Sequence, residues 1–189
     1  MLTRRRLLQT GLVGGAVLAV PPLAHAAAPD ADLAYLRLLI GVELLTIDFY
    51  GRALATRKLD PTGGALMRQM HADERAHYNG LSAAVTGLGQ TPATAGDIDF
   101  AYPAGATASR GAILKLAQKL EWLALGAYLG AVQNVQAPDL RLPIGQIAAN
   151  EAQHGGALAH ALGAPPIGRA FAPALQIDAV SAVLGRYES

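Results

Sequence analysis

Glutamate is scarce in this chain, and its placement constrains the fold more than any other feature. Beyond residue 26 there are five: Glu43, Glu74, Glu121, Glu151 and Glu188. Four of them lie near the middles of four long stretches with helical periodicity. Two belong to a repeated pattern, Glu74-Arg75-Ala76-His77 and Glu151-Ala152-Gln153-His154. Residues three apart share one helix face, so each Glu and its His point the same way. Glu43 precedes the first pair by 31 residues and Glu121 precedes the second by 30. Tyr50 and Tyr128 each follow the leading Glu of their half by seven residues. The chain reads as two related helical hairpins, each with Glu and Tyr on one helix and E-x-x-H on the next.

The faces sharpen this reading. Leu36, Ile40, Glu43, Ile47, Tyr50 and Leu54 recur in steps of three and four, as do Met67, Met70, Glu74, His77, Leu81 and Ala84. The second half repeats the pattern with Leu114, Ala117, Glu121, Ala124, Tyr128 and Val132, then Ile144, Ile147, Glu151, His154, Leu158 and Ala161. Each carboxylate lies in the apolar stripe that should face the core. Antiparallel hairpins bring Glu43 level with Glu74, and Glu121 level with Glu151. Four carboxylates and two imidazoles then converge. Buried charges need pairing or coordination, and Arg75 should point off the Glu74–His77 face. Two divalent cations would offset four carboxylates. Carboxylate oxygen with imidazole nitrogen suits iron or manganese.

The expected fold is all-α: an antiparallel four-helix bundle with one long crossover and a short C-terminal helix. Abundant Ala and Leu with 5% aromatic residues support helices over strands. Asp30 or Asp32 can cap a helix running to about Thr56. Asp60-Pro61 is a cap followed by Pro at the first helical position, and that helix runs to about Thr86, before Gly87 and Gly89. Residues 88–107 form the crossover. Thr107 or Ser109 starts a third helix ending near Gln136. Asp139 to Pro143 opens a fourth, which ends at Gly163. Pro173 to Leu184 is the expected short fifth.

Residues 1–26 read as a secretory signal peptide: Arg4 to Arg6, an apolar run from Leu7 to Val20, and Ala24-His25-Ala26 as the cleavage pattern. The run Thr3-Arg4-Arg5-Arg6-Leu7-Leu8 resembles the twin-arginine export motif. This places the working domain, 27–189, in the periplasm or outside the cell. An uncleaved amphipathic anchor is the alternative. Without residues 1–26 the balance is twelve basic to fourteen acidic residues, net −2, which leaves no nucleic-acid footprint. Processing also leaves no stable membrane span. The absence of Cys excludes disulfides, iron–sulfur clusters and thiol catalysis.

Glu43, Glu74-x-x-His77, Glu121 and Glu151-x-x-His154 together look like the ligand set of ferritin-like di-iron carboxylate proteins. The segment Gly41 to Tyr50 resembles the first helix of exported ferritin-like domain proteins, including the desiccation-related group. The resemblance implies that Glu43 and Glu121 are terminal ligands. It implies that Glu74 and Glu151 bridge two iron (alternatively manganese) ions, with His77 and His154 completing the set. Some relatives carry a second acid where this chain has Thr46. The function implied is a metal-dependent oxidoreductase acting on oxygen or peroxide, of ferroxidase, peroxidase or catalase type. The alternative is a non-catalytic metal-binding or stress-protective module. Any electron donor must be external. A homodimer fits the reading better than a storage cage.

Other residues carry two readings. Tyr50 and Tyr128 are either core residues with satisfied hydroxyls, or catalytic phenols that bind a ligand carboxylate or act in redox chemistry. His71 is a candidate partner for a ligand, and His160 reads as surface. Met67 and Met70 read as core packing. Gly126, Gly130, Gly155 and Gly156 allow close helix approach, or leave space beside His154 for oxygen or peroxide.

Overall fold

The structure, a computed structural model, describes residues 30–189. The leader assigned to residues 1–26 lies outside them. Five helices follow in order: α1 (Asp30–Ala55), α2 (Pro61–Gly87), α3 (Arg110–Asn134), α4 (Pro138–Ala161) and α5 (Ile177–Leu184). Their starts are written locally. The Asp60 carboxylate accepts the Gly63 amide at 2.7 Å, with Pro61 first in α2. The Ser109 hydroxyl accepts the Ala112 amide at 3.2 Å at the start of α3. Both satisfy amides that have no partner within the helix.

The hairpins α1–α2 and α3–α4 pack against each other chiefly through α1 and α3, while α2 and α4 barely touch. This is the four-helix bundle expected, with the long connection between the hairpins. Tyr78 donates to the Ala93 carbonyl and Tyr102 to the Leu45 carbonyl and the Asp48 carboxylate, which pin that connection onto α2 and α1. Its Phe100 also bridges to Glu188 near the C-terminus. A long loop is thus held on three sides.

Three local expectations change. Asp32, expected as a possible cap of α1, lies fully buried inside its first turn. Its carboxylate accepts the Gln136 and Ala137 amides at 2.7 and 2.8 Å, so it secures the tight α3–α4 turn instead. Helix α4 starts at Pro138, earlier than the Asp139–Pro143 window, and carries Pro143 inside it. Proline at the first position needs no amide partner. The fifth helix starts at Ile177, not Pro173. Residues 163–176 form a strap over α3 and α4, and the Leu175 amide donates to the Gly126 carbonyl at 2.8 Å instead of to a helical turn.

That strap explains the helix glycines. A Cβ on Gly130 would lie 1.9 Å from the Leu175 carbonyl oxygen, and one on Gly126 2.7 Å from the Leu175 side chain. On α4, a Cβ on Gly155 would press on the Trp122 ring at 3.2 Å, and one on Gly156 on the Pro166 carbonyl at 3.0 Å. The close approach is real, but it is made by the strap and Trp122. Trp122 and the Pro166 carbonyl lie against Gly155 and Gly156, and a cleft of about 460 Å³ opens between Trp122, Ala152 and the strap.

Candidate metal centre

All four helices contribute to one buried cluster. Glu43 comes from α1, Glu74 and His77 from α2, Glu121 from α3, Glu151 and His154 from α4. The four carboxylates are fully buried, and His154 and His77 nearly so. The apolar stripes place them there. Leu36, Ile40, Met67, Met70, Leu114, Ala117, Ala124, Ile144 and Leu158 are all in the core. Leu54, Ala84, Val132, Ile147 and Ala161 pack at its margin; Ile47 is half-buried.

Two overlapping groups form. Glu43, Glu74, His77 and Glu151 offer one ligand atom each, all within 4.8 Å of one another; Glu74, Glu121, Glu151 and His154 do the same. Glu74 and Glu151 belong to both. His77 Nδ1 lies 3.1 Å from Glu151, 3.4 Å from Glu74 and 3.7 Å from Glu43. His154 Nδ1 lies 3.0 Å from Glu74, 3.3 Å from Glu121 and 3.5 Å from Glu151. Despite these distances, neither Nδ1 makes an aligned hydrogen bond. The atoms of each group crowd together without aligned hydrogen bonds between them.

The two tyrosines cross between hairpins. Tyr50 of α1 donates to Glu121 Oε1, and Tyr128 of α3 donates to Glu43 Oε1. Both are fully buried, so the hydroxyl is satisfied and bound to a carboxylate at once. Burial, then the charge of Glu121 or Glu43 respectively, pushes each phenol well above its ordinary value. Both therefore remain donors. One oxygen of Glu43 and one of Glu121 are thereby occupied.

The remaining donor atoms are without partners: Glu43 Oε2, Glu121 Oε2, both oxygens of Glu74 and of Glu151, and Nδ1 of both histidines. Leaving even one buried carboxylate unpaired costs several kcal/mol, and about 5–15 kcal/mol is all the net stability a domain has. Among the described residues no Lys or Arg pairs with these four; their only ion-pair partners are His77 and His154. Arg75 is exposed, off the cluster face as expected.

Without a cation, protons take its place. Burial, then the charge of Glu74, pushes the Glu43 and Glu121 carboxyls well above the ordinary range. Burial also raises Glu74, but the adjacent His154 and His77 outweigh it and bring the group to about 2. Burial lowers His77, yet the Glu151, Glu43 and Glu74 carboxylates outweigh it and push it up to about 12. His154 is raised in the same way, burial being outweighed by Glu121, Glu151 and Glu74. The cluster demands positive charge. Its mixed oxygen and nitrogen donors fit a divalent transition metal, so it could hold one.

The weaker candidates separate. His71 is half-buried and makes no hydrogen bond to the cluster; His160 is exposed. Met67 and Met70 are core. Thr46 turns its hydroxyl back to the Glu43 carbonyl at 2.8 Å. The residue that sequence reasoning missed is Asp73, which contacts His154 Nε2 at 3.2 Å. Its position directly before Glu74 was the only available signal.

Among solved structures, a conserved hypothetical protein from Mycobacterium tuberculosis superposes with a TM-score of 0.63 at 22% identity, covering 75% of this chain and 97% of that one. A hypothetical protein from Methanococcus jannaschii superposes with a TM-score of 0.61 at 10% identity, covering 86% of this chain and 95% of that one. At such identities the likeness is one of fold. Among curated proteins, none matches the chain. The sequence model of the ferritin-like domain matches residues 31–164, which span α1 to α4 and both E-x-x-H motifs. On that match the chain belongs to the ferritin-like domain family.

Proposed function

We propose that this protein holds two divalent metal ions, iron or manganese, in its bundle and acts as an oxidoreductase toward oxygen or peroxide. The observation that carries the reading is the set of eight buried donor atoms without hydrogen bonds. Their distribution supports specific roles. Glu43 and Glu121 each have one free oxygen and would be terminal ligands, whereas Glu74 and Glu151 have two each and would bridge. His77 would complete one position and His154 the other.

Bound there, a metal pair supplies two-electron redox chemistry toward a small oxidant. The chain's own residues do the rest. Tyr50 and Tyr128 hold the terminal carboxylates, each with one oxygen turned inward. Leu36, Ile40, Met70 and Ala124 keep bulk water out. The Nδ1 protons of His77 and His154 would leave as the cations bind, since a ligating imidazole nitrogen must be deprotonated. A cleft of about 270 Å³, lined by Ala76, His77, Gly80, Pro143, Gln146 and Ile147, gives a small oxidant access from the side of His77.

A second reading, a non-catalytic metal-binding or stress-protective module, draws support from Trp122 and Pro166, which pack against the two glycines that follow His154. Stopped-flow absorbance of the ferrous protein mixed with peroxide separates the two. Repeated turnover within seconds to minutes is the expected outcome. A flat trace at full metal occupancy would leave the binding module.

The sequence of residues 1–26 supports export by the twin-arginine route, to the periplasm or outside the cell. Replacing Arg4 and Arg5 by Lys should strand precursor in the cytoplasm, as read by fractionation. Undiminished export would refute that route.

A further inference from the structure

The two halves of the cluster repeat in sequence but differ in surroundings. The outer nitrogen of His154, Nε2, contacts Asp73 Oδ2 at 3.2 Å, and the other Asp73 oxygen accepts the Gln69 amide at 2.8 Å. Asp73 and Gln69 are one turn apart on α2, so the carboxylate is held from behind. Of the two cluster histidines, His154 alone has this support among the described residues. The position that corresponds to Asp73 in the second half is Asn150, which carries no charge. Cover differs as well. Beside His154, the Trp122 ring lies over Gly155 and the Pro166 carbonyl of the strap over Gly156. His77 instead forms part of the wall of the cleft between α2 and α4.

We propose that the two metal positions are unequal. The position served by His154 and Glu121 is the tighter one, which Asp73 and Gln69 orient, and the position served by His77 and Glu43 exchanges its ion through the cleft between α2 and α4. This rests on the metal reading above and assigns its two positions. The physical reasons are two. A carboxylate behind a ligating imidazole fixes the ring and raises its basicity, and loss of such a partner weakens metal affinity by about tenfold to a hundredfold. His77 lines the cleft between α2 and α4, whereas His154 lines neither that cleft nor the one between Trp122 and the strap, so its ion has the less direct path out. Asp73 is a positioning residue, since it reaches the cluster only through His154.

The test is a titration of the metal-free full-length protein with cobalt(II), followed by calorimetry and by visible absorption. Two unequal equivalents are expected, the first at least roughly tenfold tighter. Asp73→Ala should weaken the first equivalent by about tenfold to a hundredfold and shift its visible band, leaving the second unchanged. Asp73→Asn, which still offers an acceptor to Nε2, should recover part of that loss. Asp73 is partly exposed, so both variants should fold. Gly80→Leu, at a position where a Cβ meets nothing within 4 Å, should slow loss of the weaker ion to a chelator several-fold. Two indistinguishable equivalents would overturn the proposal, as would equal weakening of both by Asp73→Ala. Unchanged release in Gly80→Leu would overturn the exchange route. No cobalt uptake at all would remove the metal reading itself, a result distinct from either.

Discussion

Within the cluster, each glutamate is defined by how many of its oxygens are spoken for. Tyr128 takes one oxygen of Glu43 and Tyr50 one of Glu121, whereas Glu74 and Glu151 keep both. On the proposed metal reading, Glu74→Ala or Glu151→Ala should therefore lose nearly all bound iron or manganese, because a shared ligand would serve both ions. Glu43→Ala or Glu121→Ala should keep about one ion per chain, because each serves a single position. Elemental analysis of the purified variants reads this directly; equal losses in all four would contradict the division. Identity and spacing sufficed to bring these six side chains to one buried cluster. The tyrosine pairing was not legible. Tyr50 lies seven residues after Glu43, but its partner is Glu121, 71 residues away. Spacing along a helix reports its own face and says nothing of what the facing helix presents.

Among the elements, the strap over α3 and α4 departs most from local expectation. Its sequence supports helix from Pro173 onward, but the Leu175 amide is taken by the Gly126 carbonyl. The glycines of α3 make room for it. Gly130→Ala should favour the isolated helix by about 1 kcal/mol, yet a Cβ 1.9 Å from the Leu175 carbonyl oxygen forces the strap off. The expected result is a lower melting temperature and faster proteolysis between residues 163 and 176. Gly51→Ala is the control. Its Cβ meets nothing within 4 Å, so it should stabilise the protein by about 0.5–1 kcal/mol. Thermal melts of the two variants should move in opposite directions. The same tertiary override moved Asp32 from a capping role in α1 to the α3–α4 turn, where two backbone amides depend on it.

For the whole molecule, the buried cluster couples stability to pH, with a sign that depends on the metal. His77 is raised from 6.5 to about 12 in the folded metal-free protein. Its contribution is complete below about 6.5 and is lost as the pH rises towards 12. Glu43 and Glu121, raised from 4.5, also lose their contribution as the pH rises. Glu74, lowered from 4.5 to about 2, contributes above about 4.5 and loses that contribution as the pH falls towards 2. The metal-free protein should therefore be most stable near pH 4.5 and weaken above that, more steeply beyond pH 6.5. With metal bound, protons compete with the ions, so stability should rise across the same upper range. Melting curves with chelator and with manganese(II) should diverge between pH 6.5 and 9; parallel curves would contradict a cation-demanding core.

The helices, their caps at Asp60 and Ser109, and the six converging side chains were legible because they depend on local chemistry. A carboxylate placed on an apolar stripe in four helices has few fates other than a shared buried site. The family resemblance rested on the same residues. The tertiary structure decided what those patterns could not encode: the tyrosines that cross between hairpins, the strap that fills the glycine faces, and the support of Asp73 for His154 alone. Each depends on atoms brought together from segments tens of residues apart, and burial and hydrogen-bond satisfaction at those contacts outweigh local preference. The near-repeat of the sequence suggests two equal halves. The folded chain makes them unequal, because one C-terminal strap can cover only one side of the bundle.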